Sequence, residues 1–248
     1  RHTRLGRWSR GLGDVYKRQV LRKLLLSFLL LVPLLLVSCR RNIIIPETLE
    51  AHYVQYHISY LETMAGDIPT RMLPAKMDSW YTDYFVLTRI DGFFRQFSLI
   101  QIADLRNKRV STLLNFFGTK LYHEGKKGEL PVGIIAPSKL DVHSTGEHSV
   151  IGGLNSEQLK IDTGSETFNM YYTRDFYVRR PNLSTPYGSI DHPLSDFRIQ
   201  LSLLKMHLSC IKYESRTIDS EIFMIPEDYS PVTRPVMEEI INSLFTKE

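Results

Sequence analysis

The chain has 248 residues, a formal net charge of +4 and a pI of about 9.0. The positive charge belongs to residues 1–38, which hold eight of the 31 basic residues and one of the 27 acidic residues. From Cys39 onward the net charge is therefore −3, so the basic pI gives no support for nucleic-acid binding. These 210 residues contain no internal Pro/Gly/Ser-rich linker, which predicts one domain with a single core.

Residues 1–19 do not read as part of a protein fold. The stretch SRGLGDVYKRQ, Ser9 to Gln19, has no apolar period and no helix cap, and it resembles the translation of a sequencing adapter. Residues 1–4, RHTR, match the upstream end of the same adapter, and residues 5–8 would span its variable index. We interpret residues 1–19 as an adapter scar that is set aside before the fold is considered. The alternative is a long basic n-region of a signal peptide.

A targeting segment is predicted next, at residues 20–38. Arg22 and Lys23 precede an apolar run, Leu24–Leu36, that is shorter than the ~18 residues a spanning helix needs. The run closes with LVSC, which resembles the lipobox of bacterial lipoproteins and implies acylation of the Cys39 sulfur. The acyl chains would anchor the protein to a membrane. The alternative is an ordinary secretory signal with an incidental cysteine.

Residues 39–46 are predicted to be a tether between this anchor and the domain. Cys39 is followed by Arg40, not by Asp, and no acidic cluster follows. By resemblance to the sorting signals of Gram-negative lipoproteins, this implies the inner leaflet of the outer membrane. The domain would then face the periplasm.

Apolar and polar side chains alternate through the first half of the predicted domain, residues 47–248. Tyr53–Leu61 places Val54, Tyr56 and Ile58 on one face, as in a half-buried strand. The short connections predict an antiparallel meander, because parallel pairing would need long crossovers. Its further strands are predicted at Trp80–Ile90, Phe93–Ala103, Val110–Phe117 and Lys120–Glu124, with turns at Asp91-Gly92, Asp104–Arg109 and Gly118.

The second half is predicted to add strands and one helix. Asp196–Ser215 reads as two strands meeting near Lys205, with one long strand or a helix as alternatives. Pro181–Pro193 is predicted to be a loop. The other strands are predicted around Gly152-Gly153 and at Glu166–Thr173, Asp175–Arg180 and Ser220–Pro226; the helix stripe is Met237, Ile240, Ile241, Leu244 and Phe245.

Cys210 is the only cysteine besides Cys39. It lies in an alternating segment, KMHLSCIKYE, which predicts a buried small hydrophobic residue. A reactive thiol is the alternative, but no sequence pattern supports it. With Cys39 acylated, no intramolecular disulfide could form.

The order of elements resembles the periplasmic lipoproteins related to the LolA and LolB carriers, and in particular an uncharacterised branch with a domain of unknown function. The resembling segments are YHISYLETMAG, IQIADLRNKRVSTLLN, KLYHEG, HSVIGG, MYYTRDFYV and IFMIPEDYSPV. The Gly-Tyr-x-Cys motif of that branch is replaced by Gly153-Leu154-Asn155-Ser156. The resemblance implies a mainly β (α+β) fold, a curved antiparallel sheet or half-open barrel of the LolA type with a short C-terminal helix. Its concave face would hold an apolar ligand such as an acyl chain.

The aromatic content agrees with such a ligand site but leaves an alternative open. Tyr and Phe total 25, and stretches such as Phe116-Phe117 make both faces of the sheet apolar. Either loops and the helix cover one face, or an apolar groove remains to be filled. The residues predicted to line such a groove are Tyr56, Trp80, Phe85 and Phe97.

Enzyme motifs are weak by comparison, and no catalytic residue, metal ligand or cofactor is predicted. The predicted loop LDVHSTGEH carries Asp141, His143, Glu147 and His148, but with no known zinc spacing. Ser195 lies close to His192 in sequence but lacks the Gly-x-Ser-x-Gly elbow of hydrolases.

Three functional hypotheses follow, and the first is preferred. The protein is a lipid-binding or apolar-ligand-binding lipoprotein, an interaction or structural lipoprotein of an envelope complex, or a metal-dependent hydrolase using residues 141–148. The expected partners are the membrane, through the acyl anchor, and a lipid or an envelope protein. Nucleic acid is not expected.

Overall fold

The structure is a computed structural model that describes residues 45–63, 73–92 and 96–244. The described residues from Pro46 onward form one compact unit. The predicted adapter scar, the targeting segment, Cys39 and most of the tether lie outside the described residues. No helix among the described residues is long and apolar enough to cross a membrane.

The described part of the chain is mainly β, with one α-helix, α1 (Arg234–Ser243), near its C-terminal end. A 3₁₀-helix occupies Ser220–Phe223. The strands are β1 (Thr48–Thr63), β2 (Lys76–Tyr81), β3 (Phe85–Gly92), β4 (Phe97–Asp104), β5 (Arg109–Phe116), β6 (Thr119–Glu124), β7 (Ile134–Ile135), β8 (Asp141–Ile151), β9 (Leu154–Asp162), β10 (Thr167–Thr173), β11 (Leu194–Leu201), β12 (Leu204–Asp219) and β13 (Ser230–Pro231).

All thirteen strands belong to one open sheet that does not close into a barrel. Its order is β13-β6-β5-β4-β3-β2-β1-β12-β11-β10-β9-β8, and β7 pairs with β11 outside this path. Every pairing is antiparallel except that of β13 with β6. The predicted antiparallel meander is confirmed, since β2 to β6 are neighbours in chain order. The predicted C-terminal helix is also confirmed.

The sheet is strongly curved. Leu99 in β4 and Ile199 in β11 border the same narrow void, although these strands are five places apart in the sheet. A flat sheet would separate them by about 24 Å. We call the concave side, which carries Val54, Tyr56 and Ile58 of β1, the inner face. These three side chains are buried, so the alternation predicted for β1 is confirmed.

The chain itself fills much of the inner face. The segment between β10 and β11 sends Phe176, Val178, Tyr187 and Ile190 into the core cluster that contains the inner-face residues. Helix α1 contributes Met237 and Ile241 to the same cluster. Because these elements occupy the concavity, the core lies between the curved sheet, the loop and α1.

The outer face also buries apolar side chains in its central part. Phe85 and Leu87 of β3 point away from the inner face, yet both are buried. The ring of Phe223 in the 3₁₀-helix stacks on Phe85 with centroids 5.1 Å apart. Because the 3₁₀-helix covers this part of the outer face, β3 carries apolar residues on both faces.

Two predicted features of the β2–β4 region are wrong. Trp80–Ile90 is not one strand, because a turn at Thr82 separates β2 from β3. The Thr82 hydroxyl accepts hydrogen bonds from the backbone N–H groups of Tyr84 and Phe85, at 3.2 and 2.9 Å. Asp91-Gly92 is not the next turn either, because both residues pair with β4 inside strand β3.

Two segments predicted as strands have other conformations. Asp175–Arg180 forms no strand, although Phe176 and Val178 are buried and Tyr177 between them is 66% exposed. Its burial alternates as in a strand, but no neighbouring strand pairs with its backbone. Ser220–Pro226 begins as the 3₁₀-helix, because the Asp219 side chain accepts a hydrogen bond from the Glu221 N–H and caps its first turn.

Candidate functional site

Strand β11 changes its neighbour midway along its length. Its first half pairs with β10, through Leu194 and Asp196, and its end pairs with β7, through Gln200 and Leu201. Between these pairings the backbone carbonyl of Arg198 instead accepts a hydrogen bond from the Tyr187 hydroxyl, at 2.6 Å. The sheet is therefore interrupted along this edge of β11.

A cleft of about 200 Å³ lies at this interruption, and we call it the seam cleft. Its polar lining includes Glu166, Arg198 and Lys205. The cleft therefore combines an apolar wall with charged groups, as small-molecule sites commonly do. Its main apolar lining residues are Leu61, Ile135, Phe168, Tyr187, Ile199 and Met206.

The Arg198 side chain is held in place on the wall of the seam cleft. Its guanidinium lies 4.5 Å from the centre of the Phe168 ring, a cation–π contact. One of its nitrogens lies 3.2 Å from a carboxylate oxygen of Glu166. Both charged side chains remain partly exposed, at 35% and 41%, so solvent screens this ion pair.

The rim of the seam cleft exposes apolar surface. Leu61 is 47% exposed and Ile135 is 45% exposed, and both line the cleft. Single exposed apolar residues are common, but these two border one opening. The rim would lose this exposed surface if an apolar group entered the cleft.

Narrow voids continue from the seam cleft beneath the inner face. Ile199 and Met206 line both the seam cleft and a void of about 20 Å³. A second void of about 20 Å³ shares Met77 and Ile199 with the first. Each is about the size that one water needs. Since methionine side chains adapt their shape easily, Met77 and Met206 are the residues whose movement would join these spaces.

The structure does not bring the four predicted ligand residues to one surface. Tyr56 and Phe97 lie on the inner face and are buried. Trp80 and Phe85 lie on the outer face, where the ring centroids of Trp80 and Tyr53 are 5.3 Å apart. None of the four lines the seam cleft. Cys39, the predicted lipidation site, lies outside the described residues.

Tyr56 forms a buried hydrogen-bond chain with Tyr81. The Tyr56 hydroxyl donates to the backbone carbonyl of Leu194 at 2.7 Å, so its oxygen accepts from the Tyr81 hydroxyl at 2.9 Å. Burial raises the pKa of Tyr56 well above its ordinary value. Burial likewise raises the pKa of Tyr81 to about 12. These two hydrogen bonds connect β1 and β2 to the start of β11.

We expect the free energy of unfolding to fall as the pH rises above about 10, where tyrosine ordinarily titrates. The pKa of Tyr81, and that of Tyr53, is raised to about 12 in the folded protein, mainly by burial. The unfolded chain releases these protons first, so stability present below pH 10 is lost between about pH 10 and 12. Urea unfolding at pH 9, 10 and 11 measures this loss. A urea midpoint that does not change with pH would contradict this expectation. In the variant Tyr81→Phe, the free energy of unfolding should fall less steeply with pH than in the wild type.

The segment predicted as the loop LDVHSTGEH is instead the edge strand β8. It pairs with β9, and its register shifts between Ser144 and His148, where Gly146 has a φ of +77°. Most of its side chains are exposed, on both faces of the sheet, which explains its loop-like polar composition. Among the described residues, no group of three or more His, Cys, Asp or Glu is placed to hold a metal ion.

The pair of Ser195 and His192 is not assembled. Ser195 is fully buried, and its hydroxyl lies 2.7 Å from the Ser156 hydroxyl. The His192 ring stacks on Tyr172 with centroids 5.2 Å apart. Because the serine hydroxyl bonds to another serine, this arrangement does not provide a base for a nucleophile.

Cys210 is a buried residue, as predicted. It is 3% exposed and free, and burial raises its thiol pKa to about 11. The thiolate is therefore disfavoured at neutral pH, which makes the thiol a poor nucleophile.

No protein-family model matches this chain, and no curated protein matches its sequence. Two solved structures of PNGF-II are similar to it. The structure in the C2 space group has a TM-score of 0.48 and 12% sequence identity to this chain. The structure in the P21 space group has a TM-score of 0.47 and 13% sequence identity. Each similarity covers 79% of this chain and 33% of the PNGF-II chain, so this chain spans about a third of that protein's length.

Proposed function

We propose that this protein is a lipoprotein that binds a lipid or another apolar ligand at the inner face of its sheet. The ligand enters through the seam cleft. The observation that carries the proposal is a partly apolar cleft at the interruption of the sheet, with voids that continue inward past Ile199 and Met206. The partly exposed rim residues Leu61 and Ile135 support it, since a bound apolar group would cover them.

The anchoring and the family assignment belong to the same proposal. Acylation of Cys39 would hold the domain at the outer membrane, facing the periplasm. In this proposal the open, curved sheet is the half-open barrel of a LolA-like carrier. The lipobox-like segment LVSC and the order of elements support it.

The size of the seam cleft limits what enters without rearrangement. Its volume is about 200 Å³, whereas a buried apolar cavity of ~150 Å³ accommodates benzene. A ring or one short aliphatic chain therefore fits the cleft as it stands. A longer chain would have to displace Met206 and Met77 to reach the inner voids.

Binding of a neutral fluorescent probe tests the proposal. 1-Naphthylamine, which has ten carbons and so approaches the size that the cleft accommodates, should gain fluorescence with the purified protein. The double variant Leu61→Asp with Ile135→Asp should weaken its binding by about tenfold or more, because two carboxylates would have to be desolvated at the rim. Both positions are exposed, so the fold should tolerate these changes.

Val150→Asp supplies the matched control. Val150 is 68% exposed and does not line the cleft, so its variant should bind the probe as the wild type does. Wild-type protein that fails to bind the probe would refute the function. Unaltered binding by the double variant would place the ligand elsewhere.

An interaction lipoprotein of an envelope complex is the second candidate. The filling of the inner face by the chain's own side chains favours it, because the two voids bordered by its described residues measure about 20 Å³ each. It predicts that the purified protein carries no extractable lipid and gains no probe fluorescence. Mass spectrometry of organic extracts of the protein separates the two candidates.

A further inference from the structure

We propose that the seam cleft prefers a single-chain amphiphile with a carboxylate head, and that Arg198 holds this head. The inference rests on the proposed function, since it assigns the chemical class of ligand to the same cleft. It goes beyond apolar binding because it predicts a difference between ligands that share one chain. Arg198 would be a ligand-binding residue in this scheme.

The volume of the cleft favours one chain. If ~150 Å³ suffices for the six carbons of benzene, about 200 Å³ accommodates roughly eight carbons in proportion. Two acyl chains of a diacyl lipid would not fit side by side. A medium-length single chain is therefore the occupant that fits without rearrangement.

The guanidinium of Arg198 has unused hydrogen-bonding capacity at the wall of this cleft. An arginine side chain carries five N–H donors, and among the described residues only Glu166 accepts a side-chain hydrogen bond from Arg198. The cation–π contact with Phe168 holds the guanidinium at the wall of the cleft, and the planar fork of an arginine suits a second carboxylate. The same ring lines the cleft, so the head and the apolar chain of one ligand would be bound at adjacent points.

The ion pair of Arg198 at the cleft supplies a second test of the head group. The charged side chains in its lining are two cations, Arg198 and Lys205, and one anion, Glu166. Glu166 is the group that would oppose a carboxylate, because it lies beside Arg198. Removal of its charge should therefore strengthen binding of the head, an effect that partial unfolding could not produce.

Displacement of 1-naphthylamine by octanoate and by 1-octanol, at neutral pH, tests the inference. The two ligands have chains of equal length and differ in the charge of the head. The wild type should prefer octanoate by roughly tenfold, the size expected for a hydrogen bond to a charged group. Arg198→Gln should remove this preference and keep octanol binding. Glu166→Gln should raise octanoate binding severalfold and leave octanol binding unchanged.

Arg89→Gln is the matched control. Arg89 also forms a partly exposed ion pair, with Asp91 at 2.7 Å, but it does not line the cleft. This variant should leave both affinities unchanged.

The results distinguish failure of this inference from failure of the proposed function on which it rests. Equal binding of octanol and octanoate by the wild type would overturn the inference and leave the proposed function standing. Binding of neither ligand would refute the proposed function itself. If Arg198→Gln lost both ligands while keeping its thermal midpoint, Arg198 would be a shape-determining residue, and its assignment to the head would be wrong.

Discussion

Gly152→Ala is expected to lower the free energy of unfolding by about 3 kcal/mol or more. Gly152 has a φ of +58° in the turn between β8 and β9. A Cβ atom there would lie 2.5 Å from the Cys210 sulfur and 2.6 Å from the Cys210 carbonyl oxygen. The new methyl group would therefore push the β8–β9 turn away from β12. Urea unfolding followed by circular dichroism measures the loss.

Gly153→Ala is the matched control for this prediction. Gly153 also has a positive φ, +88°, but a Cβ atom there would have no neighbour within 4 Å. Its variant should lose only about 1 kcal/mol, the cost of the left-handed backbone. Cys210→Ala should not rescue Gly152→Ala, because the carbonyl oxygen remains at 2.6 Å. Equal losses for the two glycine variants would show that contact with Cys210 is not the cause.

Two hairpins could be predicted from the sequence because period two and a glycine turn coincide there, although the same pattern at Asp91-Gly92 lies inside β3. The hairpin of β8 and β9 has Gly152-Gly153 at its turn, and the hairpin of β5 and β6 has Gly118. The turn at Thr82 could not be predicted in the same way, because it contains neither glycine nor proline. It depends on a threonine hydroxyl that bonds to two backbone N–H groups, and threonine is also frequent in strands.

The segments at Asp175–Arg180 and Ser220–Pro226 show a second limit. Local alternation reports which side chains are buried, but a strand also needs a partner for its backbone. Phe176 and Val178 are buried against the inner face without such a partner. No local feature of the sequence distinguishes this from a strand.

The seam cleft could not be predicted because it depends on contacts between distant parts of the chain. It exists where β10 leaves β11 and the two-residue strand β7 pairs with the end of β11 instead. Ile135 and Phe168 become lining residues only through these pairings. The four predicted ligand residues share only their aromatic character, and an alternation pattern cannot say which side of a curved sheet is concave. Trp80 and Phe85 consequently lie on the side opposite to Tyr56.

Tyr56→Phe is expected to lower the free energy of unfolding by about 2 kcal/mol and to leave binding of the neutral probe unchanged. The substitution leaves two buried groups without their partner, the Leu194 carbonyl and the Tyr81 hydroxyl. Because Tyr56 does not line the seam cleft, its hydroxyl should not affect the ligand. Urea unfolding and probe titration of the same samples provide both measurements.

Tyr81→Phe distinguishes the contributions of the two hydrogen bonds made by the Tyr56 hydroxyl. It removes the bond between the two hydroxyls but leaves Tyr56 bonded to Leu194, so its loss should be about 1 kcal/mol. A loss equal to that of Tyr56→Phe would mean that the carbonyl bond contributes little. If Tyr56→Phe instead weakened probe binding while the stability stayed unchanged, Tyr56 would be a ligand residue, and the apolar site would extend from the seam cleft to the middle of the inner face.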